Sequence, residues 1–177
     1  MKNKVMPSRQ GDLDSLCGFY SIANMMYWLY GNKIKRKTLF KSLLQRYSQH
    51  WPLIECLTTG IGSSHMDILL QDLSLSRYRK YPVTITQPFK SQVSLSRMKI
   101  MRAVRSYLVS GDRRAVIIRD QFHWSVVIEA DSQNLYFFDS SSYRKKAHSR
   151  YSLRYEEGKL QLYPDGIYFI ERGDVNS

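Results

Sequence analysis

Apolar side chains recur at three- and four-residue intervals from Phe19 through Ile22, Ala23, Met26, Tyr27 and Tyr30. This spacing predicts a helix that begins at Leu16 or Cys17 and is stopped by Gly31. A second helix is expected after Thr38, a suitable N-cap, and runs to about Gln49. Trp51-Pro52 opens a connection, Gly60-Ile61-Gly62 reads as a turn, and Ser63 or Ser64 caps a helix to about Leu73. Alternation and β-branching from Tyr81 to Thr86 predict a short strand, of edge character because of Pro82. Ser96 to about Val109 reads as a further helix, ended by Gly111, with a basic side at Arg97, Lys99, Arg102 and Arg105. The texture then changes. Ala115 to Ile118, His123 to Glu129, Leu135 to Phe138, Leu160 to Leu162 and Ile167 to Ile170 read as strands, with turns at 131–134 and 164–166. Helices followed by antiparallel strands make an α+β class. The expectation is one domain over residues 1–177, with a helical lobe over about 1–110, a sheet lobe over about 111–177, and a cleft between them.

Composition narrows this picture. A hydrophobic content of 43% in 177 residues supports a packed core and excludes a disordered chain. No apolar run approaches the ~18 residues of a membrane span. The longest, Ile22 to Tyr30, is interrupted by Asn24. The opening MKNKVMPSRQGDLDS has no apolar stretch of the kind a cleaved secretion signal needs. A cytoplasmic protein as synthesised is expected, with delivery to another cell by a signal-independent route as the alternative. The formal charge of +12 suits an acidic protein or peptide substrate, or nucleic acid. No nucleic-acid motif is found, and basic residues this dispersed equally describe a solvated surface. Nothing in the sequence speaks to oligomeric state.

The two cysteines, Cys17 and Cys56, are not in a C-x-x-C, so zinc and dithiol redox readings lack support, and no cofactor motif is present. Free thiols are expected. Cys17 falls where an irregular segment becomes a helix. Unpaired N–H groups and the helix dipole stabilise a thiolate there, although a thiol on an apolar helix also serves as a small core residue. Gly18, lacking a Cβ, leaves room for a substrate backbone. Gln10, seven residues before Cys17, offers an amide donor for an oxyanion, or is an ordinary polar loop residue. His123 opens a strand from which an imidazole can reach across a cleft to a thiol; a core histidine is the alternative. Asp139 ends the next strand and can hold that imidazole in one tautomer, or cap the Ser140-Ser141-Ser142 turn.

The order of these residues is more demanding than any one of them. The segment from Gln10 to Ser21, with Cys17-Gly18 at its centre, resembles the nucleophile segment of papain-like cysteine peptidases. The block Phe122-His123-Trp124-Ser125-Val126-Val127-Ile128 with Phe137-Phe138-Asp139 resembles their histidine strand and the strand after it. The nearest flavour is the bacterial Cys-His-Asp group, such as peptidase domains of bacteriocin-exporting ABC transporters and papain-like toxins and effectors. The resemblance covers these two blocks only; residues 31–115 match nothing familiar. It implies a papain-like fold with the nucleophile helix packed on an antiparallel sheet. It also implies Cys17 as nucleophile, His123 as base and then acid, Asp139 as its orienting partner and Gln10 at the oxyanion. Gly18 and Trp124 are then substrate-contacting positions, although the aromatics Phe19, Tyr20, Phe122 and Trp124 suit core packing as well. The expected activity is hydrolysis of a peptide, isopeptide or side-chain amide through a thioester. The same residues would serve a deamidase, a transglutaminase or another acyltransferase. A non-catalytic basic binding module on the same scaffold is the alternative from another class.

Overall fold

The computed structural model describes residues 6–11 and 14–173. The helix α1, Cys17–Tyr30, is buried on nearly every side, with Phe19, Ile22, Met25 and Met26 fully enclosed. A helix that is apolar all round belongs at the centre of a fold, and α1 runs through the larger core. Helix α2, Arg36–Ser48, buries Leu39, Leu43 and Tyr47, four residues apart on one face. It begins before the expected cap: Lys35 is the extended N-cap residue, and Thr38 already lies in the first turn, donating its N–H to Lys35 O at 3.0 Å. Helix α3, Leu53–Thr59, follows Pro52 and occupies part of what reads as a connection. Helix α4, Ser63–Leu75, buries Met66, Leu69, Leu70 and Leu73. Helix α5, Arg97–Val109, is capped by Ser96, whose hydroxyl accepts the Lys99 N–H.

Six strands form one antiparallel sheet: β1 (Val83–Thr86), β2 (Arg114–Arg119), β3 (Trp124–Ala130), β4 (Asn134–Phe137), β5 (Lys145–Ala147) and β8 (Tyr168–Arg172). Their order is β1-β8-β2-β3-β4-β5. The short β6 (Tyr151–Ser152) and β7 (Leu160–Gln161) pair in parallel beside it. Both faces of the sheet are covered. Ala115, Ile117, Trp124, Val126, Tyr168 and Ile170 pack toward α1. Their alternate neighbours Val116, Ile118, Val127 and Phe169 pack toward α5. That is why β2 reads as an unbroken apolar run.

The chain is therefore α+β, but it does not divide at residue 110 into two separate lobes. The strand β1, from the helical half, is hydrogen-bonded to β8 over Val83↔Arg172 to Thr86↔Phe169. Helix α5 lies on the sheet face opposite α1, because its apolar side at Ile100, Met101, Val104 and Leu108 fits the second set of alternating strand residues. Among the described residues no helix is long and apolar enough to cross a membrane.

Candidate active site

Cys17 is the first residue of α1, and no side chain caps that helix. Its first-turn N–H groups thus face outward from the helix start without a side-chain acceptor. The approach to Cys17 is held rigidly. Ser15 donates its N–H to Leu57 O at 2.9 Å and its hydroxyl to Thr58 O at 3.0 Å, so the end of α3 fixes the turn that delivers the thiol. Asp14 Oδ1 accepts the Leu16 N–H at 3.1 Å. Gly60, at φ +79°, passes so close that a Cβ there would stand 3.1 Å from Ser15 O.

His123 sits just before β3, in the tight connection from β2. Asp120 shapes that turn: its Oδ1 accepts the N–H groups of Phe122 and His123, each at 2.9 Å, and its own N–H donates to His123 O at 3.0 Å. Ser21, one helical turn into α1, donates its hydroxyl to Trp124 O at 2.8 Å. This bond sets α1 against β3 and brings Cys17 beside His123.

The imidazole Nε2 lies 2.8 Å from Asp139 Oδ1. Nδ1 is then the nitrogen left for the Cys17 thiol. Burial works to lower the His123 pKa, but the hydrogen bonds to Asp139 and Cys17, and the charges of both, raise it from 6.5 to about 10. The arrangement favours the charged imidazolium against the Asp139 carboxylate. Asp139 is 1% exposed. Burial pushes its carboxyl up, and His123, the Ser141 N–H and the Ser125 hydroxyl outweigh that and hold it below its ordinary value. The Ser141 N–H donates to it at 2.8 Å and the Val126 N–H at 3.3 Å. The two strands meet here through a register shift between Val127 and Glu129, after which Phe138 N–H donates to Val126 O at 2.9 Å.

Gln10 joins the same cleft. Its backbone N–H donates to Ser140 O at 3.1 Å, and its side-chain amide donates to Asp14 O. An amide NH2 has two hydrogens, so this anchor leaves one for a ligand. The segment before Gln10 is pinned by Asn24, the polar interruption of α1: Asn24 Oδ1 accepts the Ser8 N–H at 2.8 Å and Nδ2 donates to Ser8 O at 3.1 Å. The cleft, about 220 Å3, is lined among others by Gln10, Cys17, Arg119, Gln121, His123 and Trp124.

Trp124 is 2% exposed and donates its indole N–H to Ile61 O at 2.9 Å, so it forms a fixed cleft wall. Gly18 serves a different contact from the one expected. A Cβ there would meet Ile61 Cδ1 at 2.5 Å, so the missing side chain makes room for Ile61 rather than for a substrate. Phe122 projects at the rim, 75% exposed. Both cysteines are free thiols. Burial first, then the nearby Cys17, pushes the Cys56 thiol up to about 11. His65 accepts the Gly62 N–H at 3.4 Å and packs edge-on to Trp51, so it belongs to α4.

Sequence reasoning missed the shell behind Asp139. Ser125 and Tyr143 are hydrogen-bonded at 2.6 Å. The Tyr143 ring stands edge-on to His123 with Lys146 Nζ 3.6 Å from its centroid, and Lys146 in turn lies 4.0 Å from Asp120 Oδ2. Asp120, three residues before His123 across a turn, carried the one readable signal. Among the described residues no cluster of His, Cys, Asp and Glu is arranged to hold a metal ion. No family model, curated protein or solved structure matches the chain.

Proposed function

We propose that the chain is a papain-like cysteine hydrolase that cleaves an amide bond through a thioester. The observation that carries this reading is the His123–Asp139 hydrogen bond beside Cys17, opening on a cleft at the start of a buried helix. The Cys17 thiolate attacks the carbonyl carbon, and the oxyanion is received by the Cys17 N–H and the Gln10 amide. His123 passes its Nδ1 proton to the departing amine, which leaves as the thioester forms. His123 then takes a proton from water, the resulting hydroxide adds to the thioester, and collapse releases the acid and the Cys17 thiolate beside the imidazolium. Asp139 keeps Nε2 protonated throughout and holds the ring's orientation.

The test is intact-mass analysis after brief iodoacetamide exposure near neutral pH. Cys17 should be alkylated well before Cys56, and His123→Ala should slow that reaction at least about tenfold. Equal, slow labelling of both thiols that ignores the substitution would refute the proposal. A labelled amine offered alongside a peptide substrate then reads whether water or an amine takes the acyl group.

A further inference from the structure

Two hollows join along the outer face of α5, across the sheet from α1. One, of about 330 Å3, is lined by Arg97, Arg102, Arg105 and His148, with Met98 and Asp131 among its other walls. The second, of about 520 Å3, is lined by Arg97, Met98, Arg154 and Tyr155, among others. Arg97 and Met98 line both, so the two hollows adjoin and together make a shallow groove along α5.

Four arginines outnumber the two carboxylates, Asp131 and Glu156, that line the groove. Among the described residues no salt bridge engages Arg97, Arg102, Arg105 or Arg154. The Asp131 carboxylate is turned into its own loop, where it accepts the N–H groups of Gln133 and Asn134, each at 2.7 Å, and the Tyr136 hydroxyl. Glu156 is paired with Lys159. Arg97 is fixed in place by donating to Tyr151 O at 3.3 Å. His148 Nε2 is buried in the groove wall with no hydrogen-bond partner. Tyr155 is 78% exposed.

Arginine forks match phosphate oxygens, and a concave run of them tracks a linear polyanion. An exposed aromatic ring beside the cations supplies what an acidic peptide does not need and an unpaired base does. We propose that the α5 groove binds single-stranded nucleic acid, with Arg102 and Arg105 on phosphates and a base stacked on Tyr155. The site lies on the opposite sheet face from Cys17, and its occupancy does not depend on the thiol chemistry.

The experiment is fluorescence anisotropy of the full chain with a labelled oligothymidine of about 15 nucleotides, in salt from about 50 to about 200 mM. Saturable binding is expected, weakening at least about tenfold across that salt range. The Arg102→Glu, Arg105→Glu double variant should bind at least about tenfold more weakly and Tyr155→Ala at least about fivefold, with Cys17→Ser like the unaltered chain. If the double charge reversal fails to fold, Arg102→Gln with Arg105→Gln is read in its place. Absence of saturable binding at the lowest salt, or equal affinity of the charge-altered chain, overturns the proposal. So does tighter binding of polyglutamate, of phosphatidylserine vesicles or of a DNA duplex of the same length.

Discussion

Burial alone would hold His123 neutral; Asp139 on one ring nitrogen and Cys17 on the other reverse this and raise it to about 10. Because the folded value lies above the ordinary 6.5, the stabilisation is complete below about pH 6.5 and is lost as pH rises through about 10. Asp139 is held below its ordinary 3.8, so its contribution is present above that value and is lost as pH falls through its folded value. Replacing Asp139 by Asn removes the charge on Nε2 and returns His123 toward the neutral form. The stability difference between the two chains, read by denaturant titration, should be widest between these limits and shrink on either side. In the same variant the imidazolium should be lost at a lower pH, so the pH–rate profile of Cys17 alkylation should change between about pH 6.5 and about 10. An unchanged pH–rate profile would remove Asp139 from the site. The three residues themselves were legible because each sits at the boundary of an element that periodicity marks. The group of Ser125, Tyr143 and Lys146 was not, because it depends on the registers of β4 on β3 and of β5 on β4, and the irregular register near Val127 leaves no trace in the sequence.

Helix α1 meets the turn before α4 through the space above Gly18. Adding a methyl at Gly18 would press it into Ile61, whose side-chain carbons would lie at 2.5 and 2.6 Å. Gly18→Ala should cost about 1–3 kcal/mol of stability, the usual penalty of overfilling a packed contact. Combining it with Ile61→Ala should recover part of that loss, since the clash and its partner are removed together; thermal melts of both single variants and the pair measure the coupling. Additive losses would show that the two residues do not share this space. At this scale the long helices were readable, but α3 was not. Its seven residues bury Cys56 alone, too few positions for a period to emerge, even though its last turn holds Ser15 and hence the thiol. Gly18 was misread for a related reason: a missing side chain announces a close approach without saying what approaches.

The amphipathic pattern of α5 gave its buried side, but nothing in it said which face of the sheet that side would meet. The strand β1 was readable as an edge; its neighbour was not, since β8 lies more than eighty residues later in the chain. That placement orders events while the chain is being made. Until the β8 segment has been synthesised, the sheet has a gap between β1 and β2, and the core beneath α1 lacks Tyr168 and Ile170. Chains cut before residue 168 should therefore label Cys17 and Cys56 at similar rates, in contrast to the full chain, and preferential labelling of Cys17 in them would refute this. Under the proposed hydrolase activity, an early-formed reactive thiol would be a hazard to the nascent chains around it. Threading the late strand through the middle of the sheet ties completion of the core beneath the Cys17 helix to the synthesis of β8.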